Sequence, residues 1–400
     1  MDYPLRFCVW ELTLACNMRC LHCGSYAGRV RKDELPLDRA LALVDELVDL
    51  GLERITLSGG EPLLRKGWEQ IAGKLMDRGV RVGMISNGWY LRERLRSIVA
   101  LKKWDVVAMS LDGLRMTHDA FRRTPGSYDR IVTGFRILRG AGIDTACITC
   151  VSRYNLPELD RLHDLLVSVG VKAWQIQPIF VGGRTREYQD MLLGPRELVE
   201  VASFMARKRK CSPLEVYPAD PLGYCSRFEP YIRPEGWQGC GAGKYLAGIE
   251  ANGDVKGCLS LLPERRGDNP FVEGNVNRTP LREIWENPEN FAYTRRFDPA
   301  KAAGFCGTCP HVAGCQCGCT AMTYAATGSI YENPNCLYRE LKLNGEEDPR
   351  TLVPMTPEFQ EELLAYCKET RNRRLQADWA LSRARRAALG KNPSPGPQLT

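Results

Sequence analysis

Short apolar runs rich in β-branched residues alternate with longer amphipathic stretches through the first half of the chain. Strand patterns fall at Phe7–Leu14, Arg54–Leu57, Arg81–Ile85, Val106–Leu111, Thr145–Val151 and Ala173–Ile179. Helical patterns fall at Leu37–Leu50, Trp68–Arg78, Leu91–Ala100, Tyr128–Arg139, Pro157–Val169 and Pro195–Arg209. The first helix carries Leu41, Val44, Leu47, Val48 and Leu50 on one stripe, as burial of one face requires. Gly51, Gly79, Gly140 or Gly142, and Gly170 stand where four of these helices should stop. Such alternation predicts an α/β fold with a parallel sheet, here a partial (β/α)6 barrel over residues 1–210. In such folds ligands gather beyond the C-terminal ends of the strands, so the residues after each strand carry the expected chemistry.

Past residue 210 the alternation stops. Pro213, Pro218, Pro221, Pro230 and Pro234 mark 211–239 as a linker. Asn252-Gly253-Asp254, between the apolar runs Leu246–Glu250 and Val255–Leu259, predicts a tight hairpin with Gly253 at positive φ. Leu281–Arg296 reads as a helix ending in a basic turn. A small cysteine-rich domain is therefore expected over 240–340. A helical basic tail follows over 341–400, with a helix at Thr356–Thr370 and a disordered Pro-rich end from Asn392.

Four hundred residues suit two domains better than one core. The hydrophobic share of 44% and charged share of 26% are those of a globular protein in water. No apolar run reaches the length of a membrane span, and Met1–Arg6 is too short and polar for a signal peptide. Seventeen cysteines, an odd number, without a secretion signal point to metal in a reducing cytoplasm rather than to disulfides. The net charge of +7 does not indicate nucleic acid, because +6 of it lies between Lys368 and Lys391 and no recognition motif accompanies it.

The cysteines supply the sharpest pattern. Cys16, Cys20 and Cys23 follow the first strand at spacing C-x3-C-x2-C. Thiolates are the preferred ligands of iron–sulfur clusters, and three of them leave one iron of a cubane open. After the second strand comes Ser58-Gly59-Gly60-Glu61-Pro62, where glycines let backbone approach a ligand and Glu61 offers an anion at the site mouth. Asn87 follows the third strand, and Ser110 and Asp112 share one face at the end of the fourth. Arg122 and Arg123 precede a helix start, and Arg153, Asn155, Gln177, Gly182, Gly183 and Arg184 follow the fifth and sixth strands. Cys147 and Cys150 lie at an odd offset on one strand and so face opposite ways; with Cys8 they read as buried apolar residues. The four histidines, His22, His118, His163 and His311, show no paired arrangement, and His22 inside the cysteine loop reads as a packing residue. Downstream, Cys240 is followed by Gly253 and Cys258, then by Cys306-x2-Cys309-x5-Cys315-x3-Cys319 and Cys336. Zinc is the competing occupant of C-x2-C pairs; the upstream triplet and Gly-Gly-Glu-Pro argue against it.

The triplet at a strand end, with Gly-Gly-Glu-Pro behind it, resembles the signature of the radical S-adenosylmethionine (SAM) enzymes. The seven later cysteines resemble the SPASM extension, which binds auxiliary iron–sulfur clusters. Together the matches cover roughly residues 7 to 340. The resemblance implies a [4Fe–4S] cluster on Cys16, Cys20 and Cys23 with SAM on its open iron. Gly59, Gly60 and Glu61 would hold the methionine amino group, Ser110, Asp112 and Asn87 would lie on the SAM side, and Arg122 or Arg123 would approach SAM's carboxylate. It implies two auxiliary clusters, one on Cys240, Cys258 and Cys319 and one on Cys306, Cys309, Cys315 and Cys336. The fourth ligand of the first is Cys225, Cys211, Cys317 or an open position.

The activity implied is that of an oxidoreductase or maturase that abstracts a substrate hydrogen with a 5′-deoxyadenosyl radical, crosslinking or oxidising a ribosomally made peptide. A small-molecule substrate, such as a sugar or a tetrapyrrole-type cofactor precursor, is the alternative. A formylglycine-forming enzyme is disfavoured, since Leu259 stands where such relatives carry an aspartate. A third reading is a non-catalytic iron–sulfur or zinc scaffold. The partners implied are a low-potential donor of flavodoxin or ferredoxin type and, because fifteen residues before Cys16 leave no room for a leader-binding domain, a separate leader-peptide-binding protein; nucleic acid and membrane are not expected.

Overall fold

The computed structural model describes residues 3–222, 224–262 and 269–345. The basic tail beyond 345, the helix expected at Thr356–Thr370 and Cys367 lie outside the described residues.

The sheet is built from β1 (Phe7–Glu11), β2 (Arg54–Ser58), β3 (Arg81–Ser86), β4 (Trp104–Ser110), β5 (Thr145–Val151) and β6 (Ala173–Pro178). It continues through β7 (Glu215–Pro218), β8 (Leu246–Ile249), β9 (Asp254–Lys256) and β10 (Gly274–Asn275). All ten form one sheet in the order β10-β9-β8-β1-β2-β3-β4-β5-β6-β7. From β8 to β7 every neighbouring pair is parallel. The helices are α1 (Leu37–Asp49), α2 (Trp68–Asp77), α3 (Leu91–Leu101), α4 (Arg115–Arg122), α5 (Ser127–Gly140), α6 (Leu159–Val169) and α7 (Pro195–Cys211). Their apolar stripes pack on one side of the strands. Ala40, Leu43, Val44 and Leu47 of α1 are buried, and Cys8, Trp10 and Leu12 of the first strand segment join the same core. Gly51 ends α1 at φ +89°, a conformation that glycine adopts without steric cost.

Three expectations change. The proline-rich stretch 211–239 is not a free linker: it contributes β7, which pairs with β6 from Ala173↔Glu215 to Ile176↔Pro218, and a helical turn at Glu229–Ile232. Pro218 closes that strand, and an edge position is where a sheet tolerates proline. The expected hairpin is present as β8 and β9, with Gly253 at φ +91°, but it does not found a separate sheet. β8 lies parallel to β1 in register from Phe7↔Leu246 to Trp10↔Ile249. Leu281–Arg296 is broken into Leu281–Glu286 and Ala292–Arg295, because Pro288 cannot continue a helix.

Charged groups seal the join between β1 and the hairpin. Lys256 is 1% exposed; its Nζ lies 2.6 Å from Glu250 Oε1 and donates to the Leu261 carbonyl at 2.9 Å. Arg31 reaches Glu250 at 2.8 Å and Glu11 at 3.4 Å, and the Ala251 amide donates to Glu11 Oε1 at 3.3 Å. Removing one member of a buried pair leaves the other uncompensated. Lys256→Met is therefore expected to cost about 3 kcal/mol in denaturant unfolding of the full chain. Lys172→Ala, which breaks the exposed pair with Asp144, should cost under about 1 kcal/mol.

Candidate iron–sulfur and SAM site

The loop after β1 carries Cys16, Cys20 and Cys23 onto the C-terminal edge of the sheet. Their side chains line a cavity of about 130 Å³ together with Ser58, Gly59, Gly60, Ser86, Asn87, Ser110 and Arg122. The structure thus brings five of the sequence candidates outside the triplet, Gly59, Gly60, Asn87, Ser110 and Arg122, to the wall of one cavity.

Gly59 and Gly60 serve a purpose that their sequence did not reveal. A Cβ on Gly59 would lie 2.4 Å from the Thr13 carbonyl oxygen, and one on Gly60 would lie 2.3 Å from that of Ala15. The Gly60 amide donates to Thr13 O at 2.7 Å and the Glu61 amide to Ala15 O at 2.8 Å. The close approach is therefore made to the backbone just before Cys16. Glu61 is not at the mouth. It is 0% exposed, folded back over its own turn, and its carboxylate accepts from Leu63 N at 3.1 Å, Ser86 Oγ at 2.9 Å and Asn87 N at 2.8 Å. Burial pushes its pKa up to about 7 against the pull of those three donors. Asn87 in turn donates to Asn17 Oδ1 at 2.9 Å and approaches Cys16 Sγ at 3.7 Å.

Asp112 is fully buried and has no free face toward the cavity. Its carboxylate accepts the Cys150 amide at 3.0 Å, and one oxygen sits 2.7 Å from Arg122. The same oxygen lies 3.5 Å from His22 Nε2. Burial would raise its pKa, but the Arg122 charge overrides this and holds the carboxylate ionised. Arg122, at the end of α4, also directs Nη1 toward Cys20 Sγ at 3.8 Å. Arg123 caps the helix in the left-handed region instead. His22 is held neutral by burial, its pKa lowered to about 4. The sixth strand's loop acts on the same cysteine loop: the Arg184 amide donates to Cys23 O at 3.0 Å, and a Cβ on Gly183 would meet Gly24 O at 2.2 Å. The predicted opposition of Cys147 and Cys150 holds, but Cys150 faces the site side, where Gln177 Nε2 lies 3.0 Å from its sulfur.

The later cysteines fall into two groups. Gly257, next to Cys258, packs against the Ala242–Gly243 backbone just after Cys240, since a Cβ there would lie 2.8 Å from Gly243 N. Cys319 and Cys258 share an apolar cluster with Tyr224 and Leu261, and Cys315 and Cys336 border the same cluster. Cys306, Cys309, Cys315, Cys317 and Cys336 line a second, separate cavity of about 20 Å³. A hydrogen bond from the Cys317 thiol favours the thiolate of Cys306, and Cys225 is paired with Cys315. Two of the thiols considered for the first group, Cys225 and Cys317, therefore stand with the second.

A family model of the radical SAM superfamily matches residues 10–166, and one of an iron–sulfur cluster-binding domain, SPASM, matches residues 240–310. An AdoMet-dependent heme synthase of Methanosarcina barkeri is 31% identical over 350 residues, covering 84% of this chain and 97% of the relative. The chain belongs to the radical SAM superfamily. A mycofactocin maturase, MftC, of Mycobacterium tuberculosis is 28% identical over 84% of this chain and 83% of its own length. Among solved structures, Streptococcus suis SuiB bound to S-adenosylmethionine superposes with a TM-score of 0.65 at 16% identity, covering 83% of this chain and 76% of that one. The anSMEcpe enzyme with bound AdoMet gives 0.63 at 14%, covering 92% and 100%. These two likenesses concern the fold.

A radical SAM domain implies a [4Fe–4S] cluster with SAM, and a SPASM domain implies auxiliary clusters. The residues of the first cavity fit that requirement. Three thiols share one wall, and N–H groups point at their sulfurs: Met18 N at 3.4 Å and Asn87 Nδ2 at 3.7 Å from Cys16, and Arg122 at 3.8 Å from Cys20. Such donors tune iron–sulfur potentials. Burial raises the Cys16 pKa to about 11 and also raises that of Cys20, where the Arg122 charge opposes it. The metal itself must therefore displace these protons.

Two variants probe this packing. Gly60→Ala should push the Cys16 backbone aside and remove about four irons per chain from the anaerobically reconstituted protein, read by iron analysis. Glu61→Gln replaces one acceptor oxygen by an NH₂, setting it against at least one of the three donors, and should lower apo-protein stability by about 2 kcal/mol, read by denaturant unfolding.

Proposed function

We propose that this radical SAM enzyme oxidises a residue of a ribosomally made peptide, forming a crosslink or a related bond at a side chain or α-carbon. One observation carries the reading. A cavity of about 280 Å³ is lined by Phe180, Val181, Arg186, Ser260, Leu261, Leu262 and Tyr324. It lies between the two cysteine regions: Leu262 packs on Gly24, next to Cys23, while the Ser260 amide donates to Cys258 Sγ at 3.4 Å. That volume is at the low edge of pockets that enclose whole drug-sized ligands; it suits one or two side chains of an extended peptide.

Cys16, Cys20 and Cys23 would hold the first cluster with SAM, which would supply the hydrogen-abstracting chemistry, and the auxiliary cysteines would hold clusters that would supply an electron acceptor. The chain's own residues orient and exclude. Asn87 and Arg122 fix the cysteine loop, Ser110 and the Gly59–Gly60 backbone shape the SAM side, and Phe180, Leu262 and Tyr324 keep water from the reacting centre. The proposed ligand sets are Cys16, Cys20 and Cys23 for the SAM cluster; Cys240, Cys258 and Cys319 for one auxiliary cluster; and Cys306, Cys309, Cys315 and Cys336 for another. A flavodoxin or ferredoxin donor and a separate leader-binding protein complete a cytoplasmic system. No helix among the described residues is long and apolar enough to cross a membrane. SuiB, of the same fold, has been solved bound to its precursor peptide SuiA, and MftC is named a maturase.

A tetrapyrrole substrate is the second reading, favoured by the heme synthase relative that matches over nearly its whole length. Turnover decides between them. The reconstituted enzyme should contain about twelve irons and release 5′-deoxyadenosine above its substrate-free rate with a short peptide encoded beside its gene, and mass spectrometry should show that peptide lighter by hydrogen. Stimulation by a tetrapyrrole precursor of heme, with peptides inert, would replace the peptide reading.

A further inference from the structure

The second cysteine group has a buried polar neighbour outside its ligand set. Asn333 is 2% exposed and lines the same cavity as Cys306, Cys309, Cys315, Cys317 and Cys336. It stands three residues before Cys336, in a segment that returns to the short helix Gly304–Gly307, which carries Cys306. Two backbone donors dock that segment. Ala303 N donates to Tyr331 O at 3.0 Å, and Asn333 N donates to Cys306 Sγ at 3.5 Å. The main chain of Asn333 is thus already a donor to one of the proposed ligands.

The side chain offers a second donor. Asn335 N donates to Asn333 Oδ1 at 2.9 Å. A backbone N–H cannot accept, so this bond fixes which end of the carboxamide is oxygen. Nδ2 then takes the other side, next to Gly318: a Cβ on Gly318 would lie 2.8 Å from it. Gly318 separates Cys317 from Cys319 and sits at φ +78°, so its turn and the room for the amide depend on the same missing side chain. Nδ2 is buried, and among the described residues no acceptor takes a hydrogen bond from it. An unpaired buried donor bears the full cost of its desolvation, and native interiors leave few of them. The acceptors that this cavity offers are sulfurs. Five thiols share its wall, and a cluster held by them would add sulfides.

We propose that Asn333 Nδ2 donates a hydrogen bond to a sulfur of the auxiliary cluster held by Cys306, Cys309, Cys315 and Cys336, and that this bond raises the reduction potential of that cluster. The inference rests on the ligand set proposed for it. The sign follows from charge. One-electron reduction adds negative charge to the sulfurs, and a donor binds a more charged acceptor more strongly. Asn333 therefore favours the reduced form, which is the bias that an electron acceptor needs.

The test uses the full chain, reconstituted anaerobically, with Cys16, Cys20 and Cys23 replaced by alanine so that only auxiliary clusters give signals. Asn333→Ser keeps a side-chain oxygen for the Asn335 amide but removes the NH₂, and Asn333→Asp keeps the shape while removing the donor. Redox titration followed by electron paramagnetic resonance should show one auxiliary signal moving to lower potential in both variants, with the other unmoved. At fixed potential its reduced-to-oxidised ratio should fall about tenfold, a shift of about 59 mV for one electron. Cys309→Ala should alter that same signal. In the parent, asparagine labelled with ¹⁵N at its side-chain amide should give the signal a ¹⁵N coupling that Asn333→Ser abolishes; this coupling does not depend on either variant keeping its cluster. Unchanged potentials, absence of the coupling, or iron loss with the surviving cluster at the parent's potential would overturn the proposal, since Asn333 would then only shape the turn before Cys336. If replacing Cys306, Cys309, Cys315 and Cys336 together leaves iron content unchanged, the cluster reading itself fails, and that result is separate from any shift of potential.

Discussion

Parallel pairing of β8 with β1 is the constraint on which the arrangement depends. It makes the hairpin between Cys240 and Cys258 a continuation of the sheet whose first strand delivers Cys16. Both cysteine regions then sit where strand ends fix their backbones, rather than on units joined by a tether. The pairing requires Glu11, Arg31, Glu250 and Lys256 to be buried together, a costly arrangement unless every charge finds a partner. Here each does, with Arg31 bridging two carboxylates. Arg31 also lies just beyond the triplet loop, so the same charges that close the sheet steady the loop that presents the sulfurs.

Much of this was legible in the sequence. Six strands and six helices follow from period and stop signals, because their burial is one-sided or complete and leaves a clear pattern. The cysteine spacings are equally direct, since ligand chemistry restricts residue type at each position. What was not legible depends on partners distant in the chain. Nothing in Glu215–Pro218 announces a strand, because a four-residue edge strand between prolines carries no period. Gly59 and Gly60 read as room for a ligand, whereas the atoms they avoid belong to Thr13 and Ala15. Glu61 reads as an anion at the site mouth and Asp112 as a SAM-side residue, but both carboxylates are buried among donors of the protein itself. Arg122 and Arg123 are adjacent, and only the end of α4 decides that one turns in and the other out.

Electrostatics of the first cavity are correspondingly indirect. One buried cation, Arg122, faces both a carboxylate and a thiol, so Asp112 governs how much of its charge reaches Cys20. Asp112 in turn borders His22 and receives the Cys150 amide. The polar residues expected to touch a ligand thus include some that shape the sulfur environment from behind.

The loop after β6 has a mechanical consequence. Gly183 presses on the carbonyls of Cys23 and Gly24 with no space for a methyl group, and Arg184 is bonded to Cys23 and Ala27. The same loop supplies Phe180, Val181 and Arg186 to the larger cavity. Those side chains share a short loop with residues that contact the carbonyls of Cys23 and Gly24. One short loop thus forms a wall of the larger cavity and the support of the cysteine loop, so the two have a common mechanical element.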